Sequence, residues 1–357
     1  MHVVHIIGTR PNFVKMAPVI AALRRRDPAG RNVVVHTGQH YDELMSGVFF
    51  SELGVPEPDH LLGVGSGTHA EQTARVLEAL EPVLIDEQPE LVLVPGDVNS
   101  TLAAALCAAK LKIPVGHVES GLRSFDRSMP EEVNRVVTDH LAEHLFLHSD
   151  EAVENLLAEG VAEQRMHFVG NTMIDTLVAL EDRFRAEATA ASLGLEPGGY
   201  LLVTLHRPSL VDGPLLGEAM NALAQVGREL PVLFPVHPRT RKMLGPEWSE
   251  PPGVRIVDPV GYLDFLSLEA DAAAVLTDSG GLQEETTFLG VPCFTLRDNT
   301  ERPVTIRAGT NTLLGLEPSR ITEIPALMRE RGDERPPPPP LWDGRAAERI
   351  ADVLAGL

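Results

Sequence analysis

Short apolar runs rich in β-branched residues alternate with longer segments of helical period, and the alternation occurs twice along the chain. The runs cover residues 3–7, 33–36, 91–95, 113–118 and 145–147, and then 200–205, 232–235, 254–257, 274–276 and 293–296. Helix-like stretches such as 13–26 and 100–110 separate them. This alternation is typical of parallel sheets covered by helices. The sequence therefore predicts an α/β protein with two doubly wound, Rossmann-like domains.

The domain division follows from the point at which the pattern restarts. The length of 357 residues suits two domains with separate cores. We expect an N-terminal domain at 1–171, joined by a last helix at 344–357, and a C-terminal domain at 172–343. Pro336 to Pro340 form a stiff, extended segment that could carry the last helix back to the first domain; the alternative is a rigid spacer before a frayed end.

The charge balance argues against polyanionic partners. The chain has 30 Lys and Arg against 51 Asp and Glu, a formal net charge of −21, so long-range electrostatics oppose binding to nucleic acid or to an anionic membrane. Without a basic leader or a long apolar run, the protein is predicted to be cytoplasmic. Cys107 and Cys293 stand among apolar residues and are expected to be buried, inert thiols.

Polar motifs follow the predicted strands, where open parallel sheets bind their ligands. The motifs are Gly8-Thr9-Arg10-Pro11, Gly96-Asp97, Glu119-Ser120-Gly121, His206-Arg207, His237-Pro238 and Asp278-Ser279-Gly280-Gly281. If the domains face each other, these motifs converge on one cleft.

The residue types in these motifs suit an anionic ligand and acid–base chemistry. Arg10 and Lys15 near a helix N-terminus can bind an anion, and Ser279-Gly280 can cradle a phosphate. The alternatives are a tight turn with a solvated lysine and an ordinary Gly-Gly turn. Asp97 and Glu119 can serve as acid or base, or as helix N-caps.

Two further patterns have structural interpretations. Glu131 and Arg135 are four residues apart at a predicted helix start, which by itself indicates a surface ion pair. His140 and His144 fit an H-x-x-E-H zinc pattern on one helical face, but the chain suggests no third ligand, so core or surface histidines are favoured and no metal is predicted.

Nine motifs taken together resemble those of one enzyme family. They are GTRPNFVKMAP, HTGQHYD, PGDVNSTLAAALCAA, GHVESGLRS, MPEEVNR, TLHRPSLVD, PVHPRT, TDSGGLQEE and RDNTERP, in this order over residues 8–303. The chain resembles the non-hydrolysing UDP-N-acetylglucosamine 2-epimerases. The resemblance implies the glycosyltransferase-B architecture, with two Rossmann-like domains facing across a cleft, the last helix returning to the first domain, and a homodimer.

The resemblance also implies the reaction. Family members interconvert UDP-GlcNAc and UDP-ManNAc without NAD or metal, by anti elimination of UDP to 2-acetamidoglucal and re-addition of UDP. The C2 proton is not adjacent to a carbonyl, so no enolate can form. The enzyme must stabilise the leaving diphosphate and an oxocarbenium-like C1, and it needs carboxylates on both faces of the sugar.

Site residues are implied by matching motifs. The catalytic set is Asp97, Glu119, Glu131 and His206. Arg10, Lys15, Arg135 and His237 match groups near the substrate, Ser279 and Gly280 the phosphate-binding turn, Glu285 the ribose contact, Phe265 the uracil neighbour and Arg302 a further nucleotide-site residue.

The chain departs from the commonest bacterial pattern at three places: Asn12 replaces a frequent Glu, Tyr41-Asp42 follows Gln39-His40 where a basic residue is common, and Pro208-Ser209 replaces Arg-Glu after Arg207. Many bacterial members bind a second UDP-GlcNAc as an activator, at a site that Gln39, His40 and Arg207 would line here. The last two departures lie in this site and predict weakened activation.

Other functions stay open on sequence alone. The enzyme alternatives are a hydrolysing epimerase that releases ManNAc and UDP, a 2-epimerase of a modified UDP-sugar, and a glycosyltransferase. A non-catalytic nucleotide-sugar sensor is a fourth, which the complete carboxylate set disfavours.

Overall fold

The computed structural model describes residues 1–38, 53–54, 57–245, 249–332 and 335–357. The chain divides into two compact units, one formed by Met1–Ala179 with Pro340–Leu357 and the other by Leu180–Pro339. The predicted boundary after residue 171 falls directly before a helix, Thr172–Glu187, whereas the units divide within it. Gln39, His40 and Tyr41 lie outside the described residues.

The first unit is built on a parallel sheet of seven strands in the order β3-β2-β1-β4-β5-β6-β7. The strands are β1 His2–Ile7, β2 Arg31–His36, β3 His60–Leu61, β4 Leu91–Pro95, β5 Val115–Val118, β6 His144–Leu147 and β7 Met166–Phe168. The helices are α1 Arg10–Arg26, α2 His69–Glu87, α3 Asn99–Lys110, α4 Pro130–Leu141, α5 Asp150–Ala158 and α6 Thr172–Glu187. The strand order changes direction between β1 and β4, which is where doubly wound sheets bind ligands.

The central strands form because continuous apolar runs can be buried on both faces. Val4, Ile6, Val92 and Val94 pack in one core with helix residues such as Leu80. Register places Val4 beside Val92, which aligns the ends of β1 and β4. The α/β prediction is therefore confirmed for this unit.

The last helix packs against the first unit. Ala346–Ala355 contacts α1, and the carboxylate of Asp175 accepts hydrogen bonds from the backbone N–H groups of Ala346 and Ala347, at 3.0 and 2.7 Å. Burial outweighs these bonds and raises the pKa of Asp175 to about 6. Trp342 donates to the carbonyl of His148 at 2.8 Å. These contacts favour the returning helix over the alternative of a frayed end.

The second unit has a parallel sheet of six strands in the order β10-β9-β8-β11-β12-β13. The strands are β8 Leu201–Thr204, β9 Val232–Pro235, β10 Val254–Val257, β11 Ala274–Thr277, β12 Cys293–Thr295 and β13 Asn311–Leu313. The helices are α7 Thr189–Ser192, α8 Pro208–Val211, α9 Leu215–Val226, α10 Pro238–Leu244, α11 Tyr262–Ala270, α12 Gly280–Leu289, α13 Val304–Arg307, α14 Ile324–Arg331 and, back in the first unit, α15 Ala346–Ala355. The direction changes between β8 and β11, so the second doubly wound domain is also confirmed.

Two minor expectations have clear outcomes. Cys107 and Cys293 are buried and unpaired, as predicted, and burial raises the pKa of their thiols to about 11 and about 12. The idea that His140 and His144 share a helical face is wrong, because α4 ends at Leu141 and His144 begins β6.

Within the described residues, no helix combines the length and apolar character that crossing a bilayer requires.

Candidate active site

Three predicted site residues of the first unit follow strands that are neighbours in the sheet. Arg10 is the first residue of α1 after β1, Asp97 follows β4 and Glu119 follows β5. Neither carboxylate is a helix cap: the N-cap of α3 is Val98, and no helix begins directly after Glu119. The capping alternative is therefore wrong for both residues.

Lys15 and Glu119 form a buried ion pair. Lys15 Nζ lies 2.6 Å from Oε2 of Glu119, and both side chains are less than a tenth exposed. The alternative of a solvated lysine is therefore wrong. The backbone of Glu119 is left-handed, with φ +68°, which a non-glycine residue adopts at an energetic cost. Its N–H and that of Ser120 both donate to the carbonyl of Phe146, each at 3.1 Å, and hold this conformation in place.

Gly96 makes room for this pair. It has φ +63°, and a Cβ at this position would lie 3.1 Å from Nζ of Lys15. Glycine therefore permits both the turn before Asp97 and the close approach of the ammonium group.

Asp97 is held by Arg135. Nη1 of Arg135 lies 2.5 Å from Oδ2 of Asp97, and its Nη2 lies 2.9 Å from Oε2 of Glu132. The side chain of Arg135 is 1% exposed. The predicted surface pair of Glu131 with Arg135 is therefore wrong, because Arg135 points into the protein and bridges two other carboxylates. Glu131 is half-buried in the first turn of α4.

Glu132 is a residue that sequence reasoning missed. Its carboxylate accepts hydrogen bonds from the backbone N–H groups of Ser124 and Phe125, both at 2.9 Å, in addition to its contact with Arg135. Burial opposes its ionisation, but these hydrogen bonds and the charge of Arg135 lower the pKa below its ordinary value. The motif MPEE contained a weak signal, since adjacent residues of a helix point about 100° apart and its two glutamates therefore have different surroundings.

Asn12, a departure from the family pattern, has a structural role. Its Oδ1 accepts hydrogen bonds from the N–H groups of Gly8 and Thr9, at 3.1 and 3.0 Å, and its Nδ2 donates to the carbonyl of Pro95 at 3.3 Å. An amide can satisfy both sets of partners, whereas a carboxylate could not donate to Pro95. Asn12 therefore ties the start of α1 to the end of β4.

His206 and Asp278 meet where the second sheet changes direction. Nδ1 of His206 lies 2.9 Å from Oδ1 of Asp278. The other oxygen of Asp278 accepts from the N–H groups of His206 and Arg207, at 2.8 and 2.7 Å. Burial opposes ionisation of Asp278, but the contacts with His206 and these backbone bonds lower its pKa. A carboxylate that orients an imidazole in this way is a common feature of acid–base catalysis.

His237 stands beside His206, with ring centroids 5.8 Å apart. Its Nδ1 accepts the backbone N–H of Arg239 at 3.2 Å, which leaves Nε2 as the donor. Burial, followed by the neighbouring charge of His206, lowers the pKa of His237. His237 can therefore offer an N–H to an anionic ligand.

The glycine-rich segment after β11 begins α12. Ser279 is the N-cap, and a Cβ on Gly280 would lie 2.5 Å from Nη1 of Arg302. Glycine is thus required for the close approach of the guanidinium to the helix start. Arg302 is also held by Glu284, at 3.0 Å from Nε, and by Glu301, at 2.6 Å from Nη1. The backbone N–H groups of this helix start, with an adjacent cation, suit a phosphate.

Glu285 and Phe265 occupy the remaining predicted positions. Glu285 is buried and accepts a hydrogen bond from the hydroxyl of Tyr262 at 3.0 Å. Phe265 is partly buried against an apolar cluster that includes Leu202 and Leu233. The predicted residues that closely follow strands are Arg10, Asp97, Glu119, His206, His237 and Ser279, whereas Glu131, Arg135, Phe265 and Glu285 lie within helices. Gln39 and His40 are outside the described ranges.

Comparison with known proteins identifies the fold and the family of the chain. Solved structures of UDP-GlcNAc 2-epimerases place the chain among α/β enzymes of glycosyltransferase-B-like fold. A crystal structure of the Methanocaldococcus jannaschii UDP-GlcNAc 2-epimerase, in complex with UDP-GlcNAc and UDP, superposes with a TM-score of 0.88 at 40% identity and covers 100% of both chains. A model of the UDP-N-acetylglucosamine 2-epimerase family matches residues 22–355.

Two curated relatives cover nearly the whole chain. A UDP-N-acetylglucosamine 2-epimerase of Methanococcus maripaludis is 41% identical over 362 residues, 98% of this chain and 97% of that protein. A UDP-2,3-diacetamido-2,3-dideoxy-D-glucuronate 2-epimerase of Pseudomonas aeruginosa is 40% identical over 366 residues and covers 100% of both. The chain belongs to the UDP-N-acetylglucosamine 2-epimerase family.

Proposed function

We propose that the protein catalyses the reversible epimerisation of UDP-GlcNAc and UDP-ManNAc at C2. The observation that supports it best is the pairing of two carboxylates at neighbouring strand ends with separate buried cations, Asp97 with Arg135 and Glu119 with Lys15. Each carboxylate is therefore held in place by its own cation. Two separately held carboxylates suit a reaction in which a proton leaves one face of a carbon and returns to the other.

The reaction balances as an elimination followed by an addition. A carboxylate takes the C2 proton, the C1–O bond breaks with its electron pair leaving on UDP, and a C1=C2 double bond forms. A second carboxylic acid then protonates C2 from the opposite face while an oxygen of UDP attacks C1. We propose that the base and the acid are among Asp97, Glu119 and Glu131. We do not assign any of the three to a particular face of the sugar.

In this proposal the nucleotide is bound by the second unit. The start of α12 at Ser279 and Gly280, with Arg302, takes the diphosphate, Glu285 takes the ribose hydroxyls and Phe265 contacts the uracil. His206, oriented by Asp278, assists the departure of UDP together with His237. Arg10, Lys15 and Arg135 supply the cations of the first unit.

Proton NMR in D2O tests this function with UDP-GlcNAc as the only substrate. We expect deuterium to enter C2 and a mixture of the two UDP-sugars to form, with no added cofactor. Free ManNAc that accumulates in step with UDP would identify a hydrolysing epimerase instead. Unchanged UDP-GlcNAc would contradict epimerisation and favour a glycosyltransferase or a sensor.

A second candidate substrate is supported by the relative from Pseudomonas aeruginosa, which covers the whole chain at 40% identity. The substrate named for that relative carries the same UDP group and reacts at the same carbon, but it has a second acetamido group and a uronate carboxylate. Comparing kcat/KM for the two UDP-sugars discriminates between them. A higher value for the diacetamido-uronate would reassign the substrate and leave the C2 chemistry unchanged.

We expect activation by UDP-GlcNAc to be weak or absent. A second diphosphate close to the first brings like charges together and needs additional cations, and Tyr41 and Pro208-Ser209 stand where family members often carry charged residues. Loss of one charge-assisted contact, about 1.5 to 3 kcal/mol, weakens such a site more than about tenfold. The reaction started from UDP-ManNAc alone should therefore begin without delay. A long lag abolished by a trace of UDP-GlcNAc would show that Gln39, His40 and Arg207 suffice for activation.

Assembly and location are the remaining parts of the proposal. The homodimer and the cytoplasmic location stay predictions. Among the described residues, no group of three or more His, Cys, Asp or Glu side chains could hold a metal ion, and the proposed mechanism uses none.

A further inference from the structure

His117 and Asp139 form a fully buried pair that the reaction described above does not use. His117 is in β5 and Asp139 is in α4, and neither side chain is exposed. Nδ1 of His117 lies 2.6 Å from Oδ1 of Asp139, and Nε2 lies 2.7 Å from the carbonyl oxygen of Gly96. Gly96 directly precedes Asp97, so the imidazole contacts the turn that carries a proposed catalytic carboxylate.

The hydrogen-bond partners define what the imidazole does. The carbonyl of Gly96 can only accept, so Nε2 carries a hydrogen. Burial opposes ionisation of Asp139, but the charges and hydrogen bonds of His117 and Arg123 outweigh it and lower the pKa of this carboxyl. Asp139 is therefore an acceptor, and Nδ1 of His117 lies within hydrogen-bond distance of it.

These bonds hold the backbone before Asp97. The N–H of Gly96 donates to the carbonyl of Val118 at 3.0 Å, and its carbonyl accepts from His117. Both polar backbone atoms of Gly96 are thus tied to β5, the strand that ends directly before Glu119. Without the imidazole, the buried carbonyl oxygen of Gly96 would lose the N–H group of His117 that donates to it, and a buried acceptor without a donor is costly.

Asp139 holds the segment after Glu119 in the same way. Its Oδ2 accepts from the N–H of Gly121 at 3.1 Å and from Nη1 of Arg123 at 2.7 Å. Gly121 has φ +79°, and a Cβ there would lie 2.7 Å from the carbonyl oxygen of Ala152, so the turn has little freedom to shift. One buried pair therefore links the backbone beside Asp97 to the backbone beside Glu119.

We infer that His117 and Asp139 are positioning residues that set the placement of the Asp97 and Glu119 carboxylates relative to each other. The inference rests on the proposed function, because it assumes that both carboxylates act on one sugar. Acid–base groups lose efficiency steeply when displaced, and an error of about 1 Å can cost about 100-fold in rate. Since the pair is buried beside the site, its effect should appear in kcat rather than in substrate binding.

Two substitutions at one position separate positioning from general stability. The amide of Gln extends about as far as Nε2 of histidine and can still donate to Gly96, whereas that of Asn extends about as far as Nδ1 and reaches only Asp139. We expect His117→Asn to lower kcat about 10- to 100-fold with KM changed less than about threefold, and His117→Gln to keep kcat within about threefold. Equal kcat values in the two variants, whether high or low, would overturn the inference.

His5→Asn is the matched control. His5 is also fully buried in a strand of the same sheet and contacts an oxygen, Oδ1 of Asn32, at 2.9 Å, but it lies in the middle of β1 rather than at a strand end. We expect it to lower the melting temperature and to leave kcat unchanged. A loss of kcat comparable to that of His117→Asn would show that any buried histidine of this sheet has the same effect.

Two further measurements keep the test independent of folding and of activity. Hydrogen exchange at Gly96 and Asp97 should be faster in His117→Asn than in His117→Gln, and equal exchange would overturn the inference even if the wild type proves inactive. Failure of the wild type to convert UDP-GlcNAc would count against the proposed function alone.

If His117→Asn does not fold, Asp139→Asn replaces it. Its amide can donate to Nδ1 and accept from Gly121, so kcat should stay within about threefold, and a loss above about tenfold would contradict positioning.

Discussion

Asp97→Asn is expected to lower kcat for epimerisation by at least about 100-fold, the scale of losing a positioned acid or base. Asparagine has nearly the same shape, and its carbonyl oxygen can still accept a hydrogen bond from Arg135, which lies 2.5 Å from the carboxylate. Arg135 also keeps its contact with Glu132. The free energy of unfolding should therefore change by less than about 2 kcal/mol. Initial rates with UDP-GlcNAc as substrate measure kcat, and unfolding in urea measures the free energy of unfolding.

Asp59→Asn serves as the control for this prediction. Asp59 accepts the backbone N–H of Val34 at 2.8 Å, near the edge of the first sheet, so its carboxylate has a structural role only. The control should lose some stability and keep its turnover. If Asp97→Asn retains wild-type kcat, Asp97 leaves the catalytic set, and its contact with Arg135 is then a structural ion pair.

Glu119→Gln and Lys15→Met should each lower both stability and activity, and their combination should separate the two effects. Removing one member of a buried ion pair leaves the other charge uncompensated and costs about 3 to 5 kcal/mol. The pair here is 2.6 Å long and almost completely buried. In the double variant neither charge of this pair remains, so most of this stability should return.

Activity should not return with stability. Glu119→Gln should lose at least about 100-fold in kcat, and the double variant should stay equally slow, because the carboxylate itself is missing. Thermal unfolding followed by circular dichroism, together with kcat measured well below the melting temperature, gives both readings. Recovery of kcat in the double variant would assign Glu119 to the support of Lys15 and remove it from catalysis.

The fold could be predicted well wherever the pattern was strong. The strands at Leu91–Pro95, Val232–Pro235 and Val254–Val257 have the predicted bounds, because buried parallel strands appear in a sequence as continuous apolar runs. Three strands were missed: His60–Leu61, Met166–Phe168 and Asn311–Leu313. Each is an edge strand of two or three residues, and such strands carry mixed polarity and give no periodic signal.

The sequence predicted which types of residue make up the candidate site, but it did not predict which buried residues contact them. Asp97, Glu119 and His206 were proposed because polar residues directly after buried strands are conspicuous and because their motifs resemble one family. Glu132, His117, Asp139 and Asp278 had no assigned role, since each acts through a partner distant in the chain or shares a motif with a more conspicuous neighbour. Asp278, for example, contacts His206 across 72 positions.

The sequence by itself determined the two α/β units and the residue types at their strand ends, because hydrophobic period and strand-end polarity are local properties of the chain. Only the tertiary structure decided that Arg135 serves Asp97 and Glu132 rather than Glu131, and that Lys15 is buried against Glu119. The same holds for the pair of His117 and Asp139 that joins two turns. These contacts depend on which strands are neighbours in the sheet and on how a helix is rotated against it. Such packing is governed by the whole core and leaves no periodic signal in a single segment.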